Sequence, residues 1–320
     1  MNVVSSLPEA SDALAGRSCV LGIGNFDGLH LGHQAILQSI VRRSRELGLP
    51  SVVMTFEPHP IQVLAPDKAP KRINTPEQKL RQICDYGIEL LFVVRFDLEF
   101  ASLSPDAFIR TYLVKELRAR TVCVGGNFTF GHRQSGSVET LRQWHTDFEL
   151  HIVPPVMYRG NPVSSTEVRK SVNDGAVSTA SHLLGRWYEI EGRITSGAGR
   201  GRRLTVPTLN LESANQLLPK NGVYVSRIAL DKGSLVDSVT NIGVRPTFGE
   251  SVTTIETFVL RDEVPADAQF AQLQFLHRIR DERRFDSPGL LASQIAHDVA
   301  RSSRFFRLLG NIEHARAHSH

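Results

Sequence analysis

The stretch "GIGNFDGLHLGHQAIL", Gly22 to Leu37, lies where an apolar run gives way to a helical pattern, and it sets His30 and His33 around Gly32. Upstream, "SCVLGIG" reads as a buried strand. Downstream, "GHQAILQSIVRRSRELG" puts Ile36, Leu37, Ile40 and Val41 on one stripe and ends at Gly48, a good helix terminator. A strand that feeds a helix through a short turn opens a βαβ unit. The same alternation continues to about Arg186. "SVVMTF", "LLFVVRF" and "TVCVGG" are strand candidates, while "TPEQKLRQICDYG" and "SPDAFIRTYLVKEL" open with Thr75 and Ser104 as N-caps, each followed by proline. The first half is therefore expected to be a Rossmann-like α/β domain on a parallel sheet.

From about Trp187 the texture changes. Short runs such as "YEIEGRIT", "GVYVSRIAL", "SVTNIGV", "TTIETFVL" and "AQLQFLHRI" follow one another between glycine, proline and charged turns, the pattern of a small antiparallel β-barrel. "PGLLASQIAHDVARSSRFFRLL" reads as a closing amphipathic helix. Expected domains are 1–186 and 187–310, with 311–320 a disordered His-rich tail.

Length and composition agree. A chain of 320 residues accommodates two domains of about 100–200 residues each, each with its own core. The formal charge of +4 is spread along the chain with no aromatic-interleaved basic stripe, which argues against nucleic acid and suits a phosphorylated small-molecule substrate. No apolar run approaches the roughly 20 residues that span a bilayer, and the N-terminus lacks a basic start and apolar centre. The expectation is a cytoplasmic protein with no membrane partner. Cys19, Cys84 and Cys123 are far apart and form no CxxC, so they read as buried, reduced thiols. No oligomerisation signal is readable.

A helix N-terminus directs backbone N–H groups and the positive end of its dipole outward. His30 and His33 sit at such a mouth, their spacing puts both imidazoles on one side, and Gly32 removes a Cβ that would obstruct a phosphate. The stretch is neither GxGxxG nor GxxxxGK[ST]. It fits nucleotidyl transfer, in which a substrate phosphate attacks the α-phosphate of ATP and the protein stabilises developing charge. A tight turn with polar caps is the competing reading. The balance moves with "VSSTEVRKSV", where Ser164, Ser165 and Thr166 form a second hydroxyl-rich helix start and Arg169 follows one turn later.

With these motifs in hand the chain resembles the bacterial bifunctional riboflavin kinase/FAD synthetase family over nearly its whole length. "GNFDGLHLGH", "TFEPHP", "VGGNFTFG", "VSSTEVR", "LLGRWYEIEGRI", "GRGRRLTVPTLN", "NIGVRPTF" and "IETF" occur in the family's order. The resemblance implies a nucleotidyltransferase domain, then a riboflavin-kinase-like barrel, using Mg2+ and ATP to convert riboflavin to FMN and FMN to FAD. It implies that His30 and His33 stabilise the ATP phosphates with Gly24 and Asn25 in the same loop, and that Ser164, Ser165, Thr166 and Arg169 hold the pyrophosphate side. It also implies that Phe56, Asn127 and Phe128 border the flavin.

In the kinase half, a strand through "PTLNL" puts Thr208 and Asn210 on one face, where their oxygens suit a magnesium ion shared with phosphates. Gly197, Gly199 and Gly201 in "SGAGRGRR" supply backbone for a phosphate loop. Glu256 is implied as general base, and period two places it with Phe258 and Leu260. Two departures from the family pattern, Leu204-Thr205-Val206 before "PTLN" and a missing Tyr-Gly signature in "RDEVPADAQFAQL", define an alternative: a monofunctional FMN adenylyltransferase with a degenerate kinase-like flavin-binding domain.

Overall fold

The computed structural model describes residues 1–195, 208–231, 233–246, 251–260, 265 and 267–317, with the side chains of 245–246, 251–252 and 313–317 left aside. The chain divides into two compact units, Met1–Ser165 and Thr166–His320. This division falls earlier than residue 186. The reason is that the helix Val177–Leu184 lies against the second unit's strands, with Ser178 Oγ donating to Leu276 O at 3.0 Å.

The first unit is built on a parallel sheet. Its strands are β1 (Asn2–Val4), β2 (Cys19–Ile23), β3 (Ser51–Glu57), β4 (Leu90–Arg95), β5 (Ala119–Gly125) and β6 (Glu149–Val153), in the order β1-β4-β3-β2-β5-β6. Buried strands with helices on both faces read as continuous apolar runs, as "CVLGI" and "LLFVVR" do. Alternate residues face two cores. Leu21, Ile23, Met54 and Val122 belong to one, while Val20, Val53 and Cys123 pack with Ile36, Leu37 and Ile40 of the helix Leu31–Leu47 in the other. That helix ends as expected, with Gly48 in the left-handed conformation at φ 64°. Thr75 and Ser104 cap the helices Pro76–Cys84 and Pro105–Phe108, but the second gives way at once to a wider π-helical segment, Ile109–Glu116. β1 was not read from the sequence. It is three residues long and takes its place by pairing with β4.

After a two-stranded hairpin, β7 (Met157–Tyr158) and β8 (Asn161–Pro162), the second unit closes a barrel. Its strands are β9 (Tyr188–Thr195), β10 (Thr208–Ser213), β11 (Gly222–Leu230), β12 (Val236–Pro246), β13 (Ser251–Val259) and β14 (Phe270–Arg280), ordered β10-β13-β12-β11-β14-β9. Tyr188, Tyr224 and Phe275 fill part of its interior, and Tyr188 donates its hydroxyl to Leu217 O at 2.7 Å. A second, polar part is a chain of buried hydroxyls: Ser226–Ser238 at 2.8 Å, Ser226–Thr240 at 2.7 Å and Thr240–Thr257 at 3.0 Å. The closing helix Pro288–Ala317 lays Phe306 on Val225 and Leu276. It takes in residues 311–317, where a disordered tail was expected; 318–320 lie outside the described residues.

Cys19 and Cys123 are buried free thiols, each pushed up to about 12 by desolvation. Cys84 is exposed, contrary to expectation, because the helix Pro76–Cys84 ends at the surface.

Candidate active site

In an open parallel sheet, ligands bind beyond the carboxyl ends of the strands where the order reverses direction. Here that point lies between β2 and β5. The loop after β2 carries Gly24, Asn25 and the HxGH residues, and the turn after β5 carries Asn127 and Phe128.

His30 is the N-cap of the helix Leu31–Leu47, its Nδ1 accepting from His33 N at 3.4 Å. In the neutral ring this acceptor role leaves the proton on Nε2. The rings of His30 and His33 stack at 3.7 Å with 19° between planes, and Phe26 stands 5.3 Å from His33. Burial first, and His30 second, hold the His33 imidazole well below its ordinary range, so it is neutral near pH 7. Its buried Nδ1 has no hydrogen-bond partner among the described residues. A Cβ on Gly32 would come within 3.1 Å of the His30 ring, so glycine lets the two imidazoles and the helix start share this space.

The loop is held in an unfavourable backbone path. Phe26 (φ 51°), Gly28 (φ 82°) and Leu29 (φ 39°) all lie in the left-handed region. Such conformations persist where the surroundings determine them, and they concentrate at functional sites. Asp27, a residue sequence reading passed over, supplies much of the hold: its buried carboxylate accepts from Ile73 N at 3.0 Å and Asn74 N at 3.4 Å. Thr55 Oγ1 donates to Asn25 O at 3.2 Å and Gln34 Nε2 to Leu29 O at 2.9 Å. Lys79, also buried, reaches Glu57 at 3.3 Å and Phe56 O at 3.2 Å; Arg72 joins the same Glu57 carboxylate. The signal for Asp27 was its position inside the quoted motif.

The second hydroxyl-rich segment begins its helix at Ser165, with Ser164 preceding it. Ser165 Oγ donates to Asp27 O at 2.9 Å, tying the start of this helix to the HxGH loop. Thr166 and Arg169 continue the helix Ser165–Asn173 within the second unit.

Phe56 and Phe128, both half-buried, stand at two ends of a chain of aromatic contacts. Phe56 meets Phe100 at 5.8 Å, Phe100 meets Phe108 at 6.0 Å, Phe108 meets Phe130 at 5.4 Å, and Phe130 stacks on Phe128 at 5.5 Å. Asn127 is exposed in the turn beside Phe128.

In the barrel, register settles which residues share a face. Asn210 is directly opposite Glu256, and Thr208 opposite Phe258, so Thr208, Asn210 and Glu256 lie on one side of β10 and β13. Ile255, Thr257 and Val259 are buried on the other. Gly197, Gly199 and Gly201, and the departure at Leu204-Thr205-Val206, lie outside the described residues.

A helix start with two stacked imidazoles at the switch point of a parallel sheet, followed by a closed barrel presenting hydroxyl, amide and carboxylate on one face, is the arrangement of a two-domain phosphate-transfer enzyme. Comparison gives the family. The FAD synthetase family model matches residues 13–167 and the riboflavin kinase model residues 184–306. The bifunctional riboflavin kinase/FMN adenylyltransferase of Escherichia coli (strain K12) is 36% identical over 91% of this chain and 94% of its own. That of Bacillus subtilis (strain 168) is 35% identical over 90% and 92%. A solved structure, named a macrolide-efflux protein from Streptococcus pneumoniae, superposes with a TM-score of 0.85 at 29% identity, covering 95% of this chain and 99% of that one. Among the described residues no helix is long and apolar enough to cross a membrane. The chain belongs to the bifunctional riboflavin kinase/FMN adenylyltransferase family, with both enzymatic domains present.

Proposed function

We propose that the two reactions are divided between the halves residue by residue, with functional domains 1–186 and 187–310. In the first, a phosphate oxygen of FMN attacks the α-phosphorus of ATP. The new P–O bond forms as the bond to the β-phosphate breaks, and pyrophosphate leaves. His30 and His33 donate hydrogen bonds to the charge that develops, which such sites stabilise without a protein nucleophile. Gly24, Asn25 and Gly32 shape the approach to the helix start; Ser164, Ser165, Thr166 and Arg169 hold the departing pyrophosphate. Phe56, Asn127 and Phe128 hold the flavin, aromatic faces being suited to a flat ring.

In the second half, Glu256 accepts the proton of the riboflavin hydroxyl that attacks the γ-phosphorus of ATP, and ADP leaves with the electron pair of the broken bond. Thr208 and Asn210 offer a hydroxyl and an amide oxygen. This hard-oxygen set fits Mg2+, which keeps several waters and is commonly shared with substrate phosphates. When bound, the ion supplies charge neutralisation at the phosphates. Gly197, Gly199 and Gly201 would provide the loop around them. We place the chemistry in the cytoplasm, where ATP is available.

The observation that carries this reading is the stacked His30–His33 pair, with His30 as N-cap, at the start of a helix at the sheet's switch point. The test is to incubate the purified protein with ATP and magnesium plus either riboflavin or FMN, then separate the flavins. FAD from both tubes is the expected result. FAD from FMN alone would restore the monofunctional alternative.

A further inference from the structure

Asn241 stands mid-strand in β12, directly opposite Glu256 on β13. On its other side its cross-strand neighbour is Val223. The row across the barrel therefore reads Val223, Asn241, Glu256, Asn210, Thr195, and Glu256 has a side-chain amide on each flank. The half-buried side chain of Asn241 makes no hydrogen bond with a described residue. Asparagine is depleted in strands, and a half-buried amide with no partner among the described residues is a local misfit. Such violations in an otherwise consistent sequence concentrate at functional positions.

The interior of the barrel fixes where this amide sits. Thr240 and Thr257, the next rung, are fully buried and joined at 3.0 Å, and the hydroxyl chain continues through Ser226 to Ser238. A one-residue slip of β12 on β13 would break these buried bonds and turn every side chain to the opposite face. Gly243, next on the same face, leaves room beside Asn241 for the Glu282 carboxylate. A Cβ there would stand 3.3 Å from Asn241 Nδ2 and 2.1 Å from Glu282 Oε1.

We propose that Asn241 is a substrate-contacting residue of the kinase half: its side-chain amide holds the hydroxyl of riboflavin whose proton Glu256 accepts. Nδ2 donates to the hydroxyl oxygen while the O–H points to the carboxylate, so the lone pair that attacks phosphorus is oriented before transfer. As the O–P bond forms, the proton passes to Glu256 and the bond between γ-phosphorus and the ADP oxygen breaks. This inference rests on the reading of Glu256 as base.

The test compares full-length Asn241→Ala, Asn241→Gln and Glu256→Gln with the parent chain, measuring riboflavin phosphorylation at varied riboflavin with ATP and magnesium. FAD formation from FMN is followed in the same preparations, and circular dichroism melting reports the fold. Loss of one hydrogen bond to a reacting group lowers kcat/KM by about tenfold to a hundredfold. Asn241→Ala is expected to lose that much, through both KM and kcat, with FMN adenylylation unchanged. Asn241→Gln, which keeps the amide but moves it by a methylene, is expected to lose kcat more than KM. If Asn241→Ala and Asn241→Gln phosphorylate riboflavin within twofold of the parent while Glu256→Gln is inactive, the proposal is overturned and the base assignment stands. If Glu256→Gln keeps the parent rate, both fall. A loss in Asn241→Ala matched by an equal loss of melting temperature, with full activity in a folded Asn241→Gln, also overturns it.

Discussion

His30 and His33 sit in different surroundings although their rings stack. His30 Nδ1 accepts the cap hydrogen bond from His33 N, which leaves the proton of the neutral ring on Nε2, whereas His33 is held neutral by burial. Replacing His30 with alanine removes both cap and donor. FAD formation from FMN should fall by about 10²–10³ in kcat, the cost of one preorganised donor, while FMN formation from riboflavin continues; chromatographic assay of both steps checks this. His33 makes a pH prediction whose sign follows from its depressed pKa. Above the unfolded value of about 6.5 both states are neutral and stability is full. As pH falls below that value, the unfolded chain binds a proton that the native ring refuses, so stability drops until the native pKa is reached. The melting temperature of the parent should therefore fall more steeply between about pH 7 and pH 5 than that of His33→Gln, and parallel slopes would refute the assignment. Gly28 is the residue on which the loop's path depends. At φ 82°, with Ile73 Cδ1 2.7 Å from where a Cβ would be, Gly28→Ala should cost about 1–3 kcal/mol in denaturant unfolding of the first unit.

Among the elements, the closing helix is attached to the barrel by a buried ion pair as well as by Phe306. Arg280 gives Asp298 Oδ2 two hydrogen bonds, at 3.0 Å and 2.8 Å, and Gln294 Nε2 completes Asp298 Oδ1 at 2.9 Å. Removing one partner of a buried pair leaves the other charged and unsolvated. Asp298→Ala should thus destabilise the second unit by about 3–5 kcal/mol in chemical denaturation, with Asp298→Leu no better, because the cost comes from Arg280. The helix and most barrel strands were legible because their cues are local: period two in "YEIEGRIT" and "GVYVSRIAL", an apolar stripe in "PGLLASQIAHDVARSSRFFRLL". What was not legible is long-range. β1 is three residues long and exists through its pairing with β4. The π-helical Ile109–Glu116 follows a regular N-cap and proline, so nothing in that start announces the widening. Asp27 was in plain view in the motif, yet its value lies in backbone groups 46 and 47 residues away. Asn241 likewise acquires meaning only from the register that sets it against Glu256.

At the scale of the molecule, the two units each have their own core, and the residues proposed for adenylyl transfer, ending at Arg169, precede in the chain those proposed for the kinase step. The family matches, residues 13–167 and 184–306, leave the helix carrying Arg169 at the edge of one and the helix Val177–Leu184 almost wholly between them. Separate cores predict separable chemistry. His30→Ala should turn riboflavin into FMN and stop; Glu256→Gln should turn FMN into FAD but leave riboflavin untouched. Mixed in one tube with riboflavin, ATP and magnesium, the two variants should restore FAD, because FMN made on one chain dissociates and is adenylylated on the other. A lag should precede FAD while free FMN accumulates, and it should shorten when FMN is added at the start. If each variant performs its remaining step alone but the mixture makes no FAD, FMN passes between sites within one chain. The units would then be chemically coupled despite their separate cores.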